Sequence, residues 1–425
     1  MGIYTKDLYL EEEMKNNITL IGINFYPEDT AIGLYSTQMC EYLSNQGYNI
    51  DVITGFPYYP QWEIRESYQN KSTFLLEQKE NINIYRYKQY VPKNPSFKNR
   101  IVHLLDFTFG SLRNVFKIKK SDLVICVIPF TTSVLLGLIL AKLRGAKVWV
   151  HIQDFEFDAA VESGLAGNQE GIKAKVFKYL FKIEKKLLDK SDIISTISYG
   201  MIEKLKTKTD TQNYFFPNWV DEDFINPSKS KQHEYLISQK FKILYSGNIG
   251  AKQDWDFFLK VIKNFKDSDD VEFIIVGAGA KKAWLVQETS TYKNITHYEP
   301  IDYEKLPDLL CSADLHILFQ KNDVIDTVMP SKLLGMMASE KPSLVTGNLN
   351  SEVAKAFEIS KGGYFFDSFD LENCLKTIED LKSNDILSKE IGKNAREYIT
   401  QNFSSKNVLK KFEEKIKETL NATTH

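Results

Sequence analysis

The chain has 425 residues, of which 43% are hydrophobic and 26% are charged, and its formal net charge at pH 7 is -2. This length suits about two domains, and a charge so close to neutral argues against nucleic acid as a partner. The cysteines Cys40, Cys126, Cys311 and Cys374 are widely separated, which disfavours a disulfide framework or a zinc site and fits a reducing cytoplasm.

Residues 1–17 are polar and acidic, and they lack the apolar core of a secretory signal. We interpret them as a polar leader, and an expression tag ahead of a natural start at Met14 is one explanation.

The longest apolar stretch, Leu123 to Leu143, is about long enough to span a bilayer. Pro129 and the polar residues 131–133 divide it. We therefore expect a buried strand, Leu123 to Ile128, followed by a buried helix, Ser133 to Leu143, rather than a membrane span.

Short apolar runs alternate with helical patterns in both halves of the chain. This alternation predicts, in each half, a parallel sheet covered by helices on both faces. The strands predicted in the first half are Thr19 to Asn24, Asn49 to Thr54, Ile82 to Tyr87, Leu123 to Ile128, Lys147 to Gln153 and Asp192 to Thr196. The strands predicted in the second half are Lys242 to Ser246, Val271 to Val276, Asn294 to Tyr298, Leu315 to Phe319, Pro342 to Thr346 and Gly363 to Phe365.

Changes of composition place the domain boundaries. Residues 215–235 are rich in Pro, Asn and charge, which indicates a linker. From Ser404 to Leu420, apolar residues recur at helical spacing, which predicts a helix with one buried face. We predict an N-terminal domain at 18–222, a C-terminal domain at 223–403, and a helix and tail at 404–425. Packing of that helix against the N-terminal domain is one arrangement.

Two glycine-bearing turns each follow an apolar run. The first lies in ITLIGINFYPEDTAIG, residues 18–33, and the second in KILYSGNIG, residues 242–250. A strand that breaks at Gly and leads into a helix opens a nucleotide-binding α/β unit, so the pair predicts two Rossmann-like domains facing across a cleft. Gly33 precedes a predicted helix, Leu34 to Asn45, whose N-terminus favours phosphate. A packing turn without a ligand is the alternative interpretation of Gly33.

A series of segments carries a family resemblance. In chain order they are GINFYPEDTAIGLYSTQM, FPYYPQW, HIQDFEFDAA, FFPNWVD, YSGNIGAKQDW, FIIVGAGAKKAWL and MPSKLLGMMASEKP. On these segments, which extend from Ile18 to about Phe403, the chain resembles the retaining glycosyltransferases of family 4. Those enzymes have the GT-B fold, and the resemblance is to the WcaI-like subgroup of bacterial surface polysaccharide biosynthesis.

The resemblance implies that the C-terminal domain binds the diphosphate of a nucleotide-sugar donor at the turn of Gly247. Family members commonly have an Arg and a Lys where this chain has Asn248 and Gln253. Lys252 stands beside the second of these positions. We expect Lys332 to stabilise the departing diphosphate, because charge builds on its oxygens in the transition state. A surface lysine at a helix start is the alternative for Lys332.

The segment Pro330-Ser331-Lys332-Leu333 has the pattern of a helix start, with Pro near the first turn. The N–H groups of Ser331, Lys332 and Leu333 are therefore predicted to hold phosphate oxygens.

Two glutamates that many family members carry are absent, and Thr327 and Gly335 stand at their positions. Asp326 or Asp323 is the candidate to bind the donor sugar hydroxyls instead of the first glutamate. Glu340 stands where relatives often have Gly, and it is either a solvated turn residue or a ribose ligand.

Gly277 and Glu299 follow predicted strands and are the candidates to contact the base and ribose. The Gly-x-Gly at 277–279 lacks the third glycine and the acidic partner of a dinucleotide site, which argues against NAD. Asp254 and Asp256 imitate a metal motif but open a predicted helix, so we expect helix-start charges and no metal or cofactor.

In the N-terminal domain, His151 and Asp154 are the catalytic candidates. They lie at the end of a predicted strand, where ligands gather in open α/β sheets. The resemblance implies that this position faces the reacting sugar, so Asp154 is predicted to orient the acceptor hydroxyl or accept its proton. An unperturbed carboxylate is a poor base at neutral pH, and capping of the following segment is the alternative role of Asp154.

Basic residues mixed with aromatic residues crowd the segment 88–120, and a second, lysine-rich cluster lies at 173–190. Such segments suit an anionic membrane surface, and ordinary surface helices are the alternative. Acceptors of the resembling enzymes are usually lipid-diphosphate-linked sugars. We therefore expect a cytoplasmic enzyme held peripherally on the inner face of the cytoplasmic membrane.

The resemblance thus implies a GT-B enzyme that moves a sugar from a nucleotide donor, UDP rather than GDP, to a lipid-linked saccharide with retention at the anomeric carbon. Capsule, O-antigen or exopolysaccharide assembly is the expected setting. Front-face attack assisted by the departing phosphate is the expected route. The alternatives are a catalytically inactive partner that binds nucleotide sugar or lipid, a GDP-sugar (fucosyl) transferase, and an epimerase of nucleotide sugars.

Overall fold

A computed structural model describes residues 16–28, 31–129, 131–162, 172–322 and 330–422. Its contacts form two compact units. The first comprises the described residues up to Ile194, together with Thr209–Gln212 and those from Lys417 on. The second comprises Ser195–Lys208 and the described residues of Asn213–Ile416. The chain is a two-domain α/β protein with mainly parallel sheets, as the sequence predicts.

The described strands are β1 (Asn17–Ile21), β2 (Asn49–Gly55), β3 (Phe74–Lys79), β4 (Ile82–Tyr87), β5 (Leu123–Ile128), β6 (Lys147–Ile152), β7 (Ile193–Thr196), β8 (Asn213–Phe215), β9 (Phe241–Ser246), β10 (Val271–Val276), β11 (Ile295–Tyr298), β12 (Leu315–Phe319), β13 (Ser343–Gly347) and β14 (Tyr364–Asp367).

The described α-helices are α1 (Ala31–Asn45), α2 (Glu66–Gln69), α3 (Phe97–Lys117), α4 (Thr132–Arg144), α5 (Glu156–Glu162), α6 (Ile172–Leu188), α7 (Tyr199–Lys206), α8 (Trp255–Asn264), α9 (Lys282–Glu288), α10 (Leu306–Cys311), α11 (Ser331–Ala338), α12 (Glu352–Ser360), α13 (Leu371–Ser383), α14 (Asp385–Asn402) and α15 (Ser405–Asn421).

The larger sheet has the strand order β3-β4-β2-β1-β5-β6-β7-β8. Strand β1 runs parallel to both of its neighbours, with Ile18 opposite Ile50 of β2 and Leu123 of β5. All six residues of β5 are buried, which is typical of a strand covered on both faces. The first unit's candidate residues lie near the carboxyl ends of β1 and β6. Helix α1 begins at Ala31 and not at the predicted Leu34, so Gly33 lies in its first turn. His151 lies in β6, and Asp154 follows that strand.

The longest apolar stretch forms strand β5 and helix α4, as predicted. Gly145, with a left-handed φ of 72°, ends α4. None of the helices in the described part of the chain combines the length and apolar character that a membrane crossing requires.

The smaller sheet has the order β11-β10-β9-β12-β13-β14, and each pair of neighbours is parallel. Its centre is apolar, with Phe258 of α8 against Phe273 of β10. Asp254 caps α8 by accepting a hydrogen bond from the Phe257 N–H at 2.9 Å, so the helix start predicted there is confirmed.

Two strands were not expected from the sequence. Strand β3 is antiparallel to β4 at the edge of the larger sheet, and half of its residues are polar. Strand β8 has three residues and lies at the start of the predicted linker. Beyond that linker, the ring of Phe412 in α15 stacks on Phe216, with centroids 4.1 Å apart, so the final helix buries one face as predicted.

Candidate functional site

The two loops that follow β9 and β10 meet backbone to backbone in the second unit. The Gly247 N–H donates to the Val276 carbonyl and the Ile249 N–H donates to the Ala278 carbonyl, each at 2.8 Å. A Cβ at Gly277 would lie 1.9 Å from the Gly247 oxygen. The two loops can approach this closely only because glycine occupies position 277.

Lys332, in the first turn of α11, reaches across the loop of β9. Its Nζ donates to the Tyr245 hydroxyl at 2.8 Å and to the Asn248 carbonyl at 3.3 Å. The Tyr245 hydroxyl in turn donates to the Asn248 carbonyl at 2.6 Å. A Cβ at Gly247 would lie 2.5 Å from the Lys332 Cε, so this glycine leaves the path of the lysine open. The structure thus brings Gly247, Asn248 and Lys332 together.

The environment of Lys332 favours an added anion. Burial lowers the pKa of Lys332 from its ordinary 10.5 to about 8, and burial raises the pKa of the Tyr245 phenol, which stays neutral. Both oxygens that accept from Lys332 are uncharged. Within the described residues, these contacts leave the ammonium charge of Lys332 unneutralised. A nearby anion would therefore stabilise the charged form of the amine.

The other predicted residues of this loop have different roles. The Gln253 Oε1 accepts from the Gly250 N–H at 3.1 Å, so this side chain closes the turn. The side chain of Lys252 is exposed beside it.

At the start of α11, Pro330 and Ser331 hold the predicted positions. The Leu333 N–H donates to the Pro330 carbonyl at 2.9 Å, so the prediction that Leu333 offers a free N–H to phosphate is wrong. Glu299 forms an ion pair with Lys282 at 2.6 Å.

Asp323, Asp326 and Thr327 lie outside the described residues. Gly335 is buried, and a Cβ there would meet the Leu310 Cδ1 at 3.1 Å. The position at which many family members carry the second glutamate therefore faces an apolar side chain.

Glu340 has a left-handed φ of 60° just after α11, and its Oε2 lies 3.8 Å from the Nε of Arg396. Of the two interpretations given above, these contacts favour a turn residue.

His151 lies in β6 and Asp154 just after it, at the carboxyl end of the strand. The His151 Nε2 is 2.9 Å from the Gln153 Nε2. Burial lowers the pKa of His151 to about 3, so this imidazole is neutral at physiological pH. Asp154 is exposed.

Gly33 packs against a buried carboxylate that sequence reasoning did not single out. A Cβ at Gly33 would lie 2.7 Å from the Glu28 Cβ, which favours the packing interpretation of this glycine. The Glu28 Oε2 accepts from the Asn24 amide at 2.8 Å, and its Oε1 accepts from the N–H groups of Tyr58 and Tyr59. Burial raises the pKa of Glu28. The only sequence signal was an acidic residue between Pro27 and a glycine turn.

Across the described residues, His, Cys, Asp and Glu side chains do not gather in groups of three that would suit a metal ion.

Comparison with known proteins gives the chain its family. The protein family described as "Glycosyl transferases group 1" matches residues 228–398 of this chain. The chain is 33% identical over 408 residues to the putative colanic acid biosynthesis glycosyl transferase WcaI of Escherichia coli (strain K12), across 93% of this chain and 98% of that protein.

Solved structures share the fold at low identity. Sucrose-phosphate synthase from Thermosynechococcus elongatus has a TM-score of 0.70 at 14% identity, with 96% of this chain and 100% of that chain covered. Anabaena HepE in complex with UDP has a TM-score of 0.65 at 9% identity, with 95% and 100% covered. These likenesses show the GT-B fold. With the identity to WcaI over nearly the whole chain, they lead to one conclusion: the chain belongs to the glycosyl transferases of group 1.

Proposed function

We propose that the protein is a retaining glycosyltransferase of bacterial surface polysaccharide assembly. It moves a sugar from a nucleotide-diphosphate donor, with UDP favoured over GDP, to a lipid-diphosphate-linked saccharide. The observation that carries the proposal is the Lys332 ammonium, held over the Gly247 loop by uncharged oxygens. The name of WcaI supports the polysaccharide setting, and the UDP complex of HepE supports the choice of base.

In this proposal, the side chain of Lys332 and the backbone N–H groups of Ser331 and Lys332 stabilise the diphosphate as the sugar–phosphate bond breaks. The diphosphate leaves with the bonding electrons, and its growing negative charge meets a fixed cation and a helix N-terminus. The acceptor hydroxyl attacks the face that the diphosphate leaves, and its proton passes to a phosphate oxygen, so the anomeric configuration is retained. Asp154 orients the acceptor hydroxyl. Stabilisation of the diphosphate charge by Lys332 and the helix N-terminus needs no metal.

Release of free nucleotide tests the transfer. UDP- and GDP-sugars are mixed with a lipid-diphosphate-linked saccharide, and free UDP or GDP is measured, with the anomeric configuration of the product read by NMR. Removing one donor that stabilises a transition state typically costs about 10²–10³ in kcat, and we expect that loss for Lys332→Ala. Lys376→Ala, an exposed lysine on α13, is the matched control and should keep full turnover.

Equal turnover in both variants would refute the role of Lys332. Tight binding of UDP without any release would favour the catalytically inactive partner instead. Turnover without an acceptor would favour the epimerase.

We also propose that helix α3 holds the protein on the inner face of the cytoplasmic membrane. Apolar side chains recur on one exposed stripe of this helix, with Phe109 66% and Phe116 61% exposed. Arg113 and Lys117 lie on the same part of the helix and are exposed. Exposed aromatic rings beside lysine and arginine are typical of helices that lie in an anionic lipid interface.

Vesicle flotation at low salt tests this surface. We expect binding to vesicles of phosphatidylglycerol and weaker binding to vesicles of phosphatidylcholine. The double variant Phe109→Ser, Phe116→Ser should lose most of that binding, whereas Phe369→Ser, a 77% exposed residue of the second unit, should not. Failure of the unchanged protein to float with anionic vesicles would refute the membrane proposal and leave the transferase proposal intact.

A further inference from the structure

A cavity of about 470 Å³ lies within the first unit, beside the loop that joins β1 to α1. Its walls come from the segment 57–69, which follows β2, and from Pro27 and Glu28. Small-molecule sites usually enclose roughly 300–1,000 Å³. The diphosphate site does not explain this cavity or the FPYYPQW motif that begins its wall.

Hydrogen bonds fix the inner side of the wall. The Glu28 Oε1 accepts from the backbone N–H of Tyr58 at 2.8 Å and from that of Tyr59 at 2.9 Å. The guanidinium of Arg65 donates to the Pro27 carbonyl at 3.2 Å. These hydrogen bonds shape the cavity before a ligand arrives, which lowers the entropic cost of ordering its walls on binding.

Aromatic contacts of Trp62, which is not itself a lining residue, also hold the segment that forms the wall. The Trp62 ring lies 5.4 Å from that of Tyr58 and 5.8 Å from that of His103, measured between centroids. The Arg100 guanidinium sits 5.2 Å from the Trp62 centroid. Trp62 has a left-handed φ of 56°, which is rare for a bulky residue and persists where neighbouring contacts hold it.

The lining has the chemistry of a sugar site. Tyr59 is 39% exposed and presents a flat apolar ring. Glu63 and Glu66 are exposed carboxylates, which accept hydrogen bonds. Arg65, the one Lys or Arg among the lining residues, already donates to Pro27. A sugar ring has an apolar face for the tyrosine and hydroxyl donors for the carboxylates, whereas a phosphate would meet like charge.

We propose that this cavity is a subsite for an uncharged saccharide, the sugar of the acceptor. The sugar ring stacks on Tyr59, and its hydroxyl groups donate to Glu63. The inference rests on the proposed function, because it assigns one end of the proposed acceptor to this cavity. The diphosphate of the acceptor binds outside it.

Saturation-transfer NMR tests the cavity separately from catalysis. The probes are methyl glycosides of common hexoses and N-acetylhexosamines, with UDP at saturation. We expect at least one methyl glycoside to bind, and Tyr59→Ala to weaken that binding about tenfold, since aromatic stacking contributes that much. Tyr59→Phe keeps the ring and should bind within about twofold of the unchanged protein. Inorganic phosphate should not displace the glycoside.

Charge-matched variants test the carboxylate. Glu63→Gln should weaken glycoside binding several-fold, because a charged acceptor gives a stronger hydrogen bond than an amide. Glu80→Gln, an exposed residue outside the cavity, should not change it. In turnover, Tyr59→Ala should raise the KM for the acceptor and leave the KM for the nucleotide sugar unchanged.

Any one of three results would overturn the subsite: no glycoside binds, Tyr59→Ala binds as well as the unchanged protein, or phosphate displaces the glycoside. Thermal unfolding with and without UDP shows whether Tyr59→Ala is folded. Glycoside binding without turnover of any nucleotide sugar would keep the subsite and refute the transferase proposal. Turnover without glycoside binding would do the reverse.

Discussion

The lowered pKa of Lys332 predicts that UDP binding weakens in mildly alkaline solution. With a pKa of about 8, the amine of the free protein carries its proton in about nine molecules of ten at pH 7 and in about one of ten at pH 9. A diphosphate binds the charged form, so binding above pH 8 must first add a proton. The Kd for UDP should therefore rise about tenfold from pH 7 to pH 9. The pH range of the measurement starts at 7 because the terminal phosphate of UDP itself titrates at about pH 6.

Isothermal titration calorimetry at pH 7, 8 and 9, at constant ionic strength, measures this Kd. Lys332→Arg is the informative variant, because guanidinium keeps its charge at pH 9 and the profile should become flat. Lys332→Met should bind UDP weakly at every pH, again without a slope. A flat profile for the unchanged protein, or the same slope in Lys332→Arg, would refute the reasoning.

Further substitutions test the backbone and the buried carboxylate. Gly277→Ala should lower the free energy of unfolding by more than about 3 kcal/mol, because its Cβ would lie 1.9 Å from a carbonyl oxygen of the facing loop. Gly145→Ala is the control: its Cβ would meet open space, and it should lower the free energy of unfolding by only about 1 kcal/mol. Equal losses in urea denaturation would contradict this steric argument. Glu340 and Lys361 both have a left-handed φ, so replacing either one with Gly should raise the free energy of unfolding by up to about 1 kcal/mol. The gain should be smaller for Glu340→Gly, because that variant also loses the ion pair with Arg396. A loss in both variants would exclude backbone strain. Burial raises the pKa of Glu28 above its ordinary 4.5, so the folded state binds the carboxyl proton more tightly than the unfolded state does. The free energy of unfolding should therefore fall as pH rises from 4.5 through the folded-state pKa. Glu28→Gln should lack that fall, and parallel Tm curves for the two proteins would contradict the assignment.

Strands β5, β10 and β12 were predictable because their residues are mainly apolar, whereas β4 also carries Asn83 and Arg86. Strands β4, β5, β10 and β12 have the bounds that the sequence predicts. Strand β3 was missed because an edge strand exposes one side and so carries polar residues, which erase the apolar run.

The candidate site was predictable only in part. Lys332 and Gly247 were assigned to one diphosphate site from the family resemblance, and the structure brings them together. The hydroxyl of Tyr245 that holds Lys332 belongs to a strand, and sequence gives no sign that a strand residue reaches a helix 87 positions later. Glu28 was missed for the same reason, since its partners lie 30 and 31 residues further on.

The contact between the loops of Gly247 and Gly277 limits how a new donor preference can be engineered. Neither position tolerates a larger residue without displacing a main-chain atom or the lysine. A mutagenesis library aimed at a different nucleotide would waste its members on these two codons. Lys252 and Glu299 are exposed and belong to the proposed donor site, so randomising them instead would change the proposed contacts while preserving the backbone of the two loops.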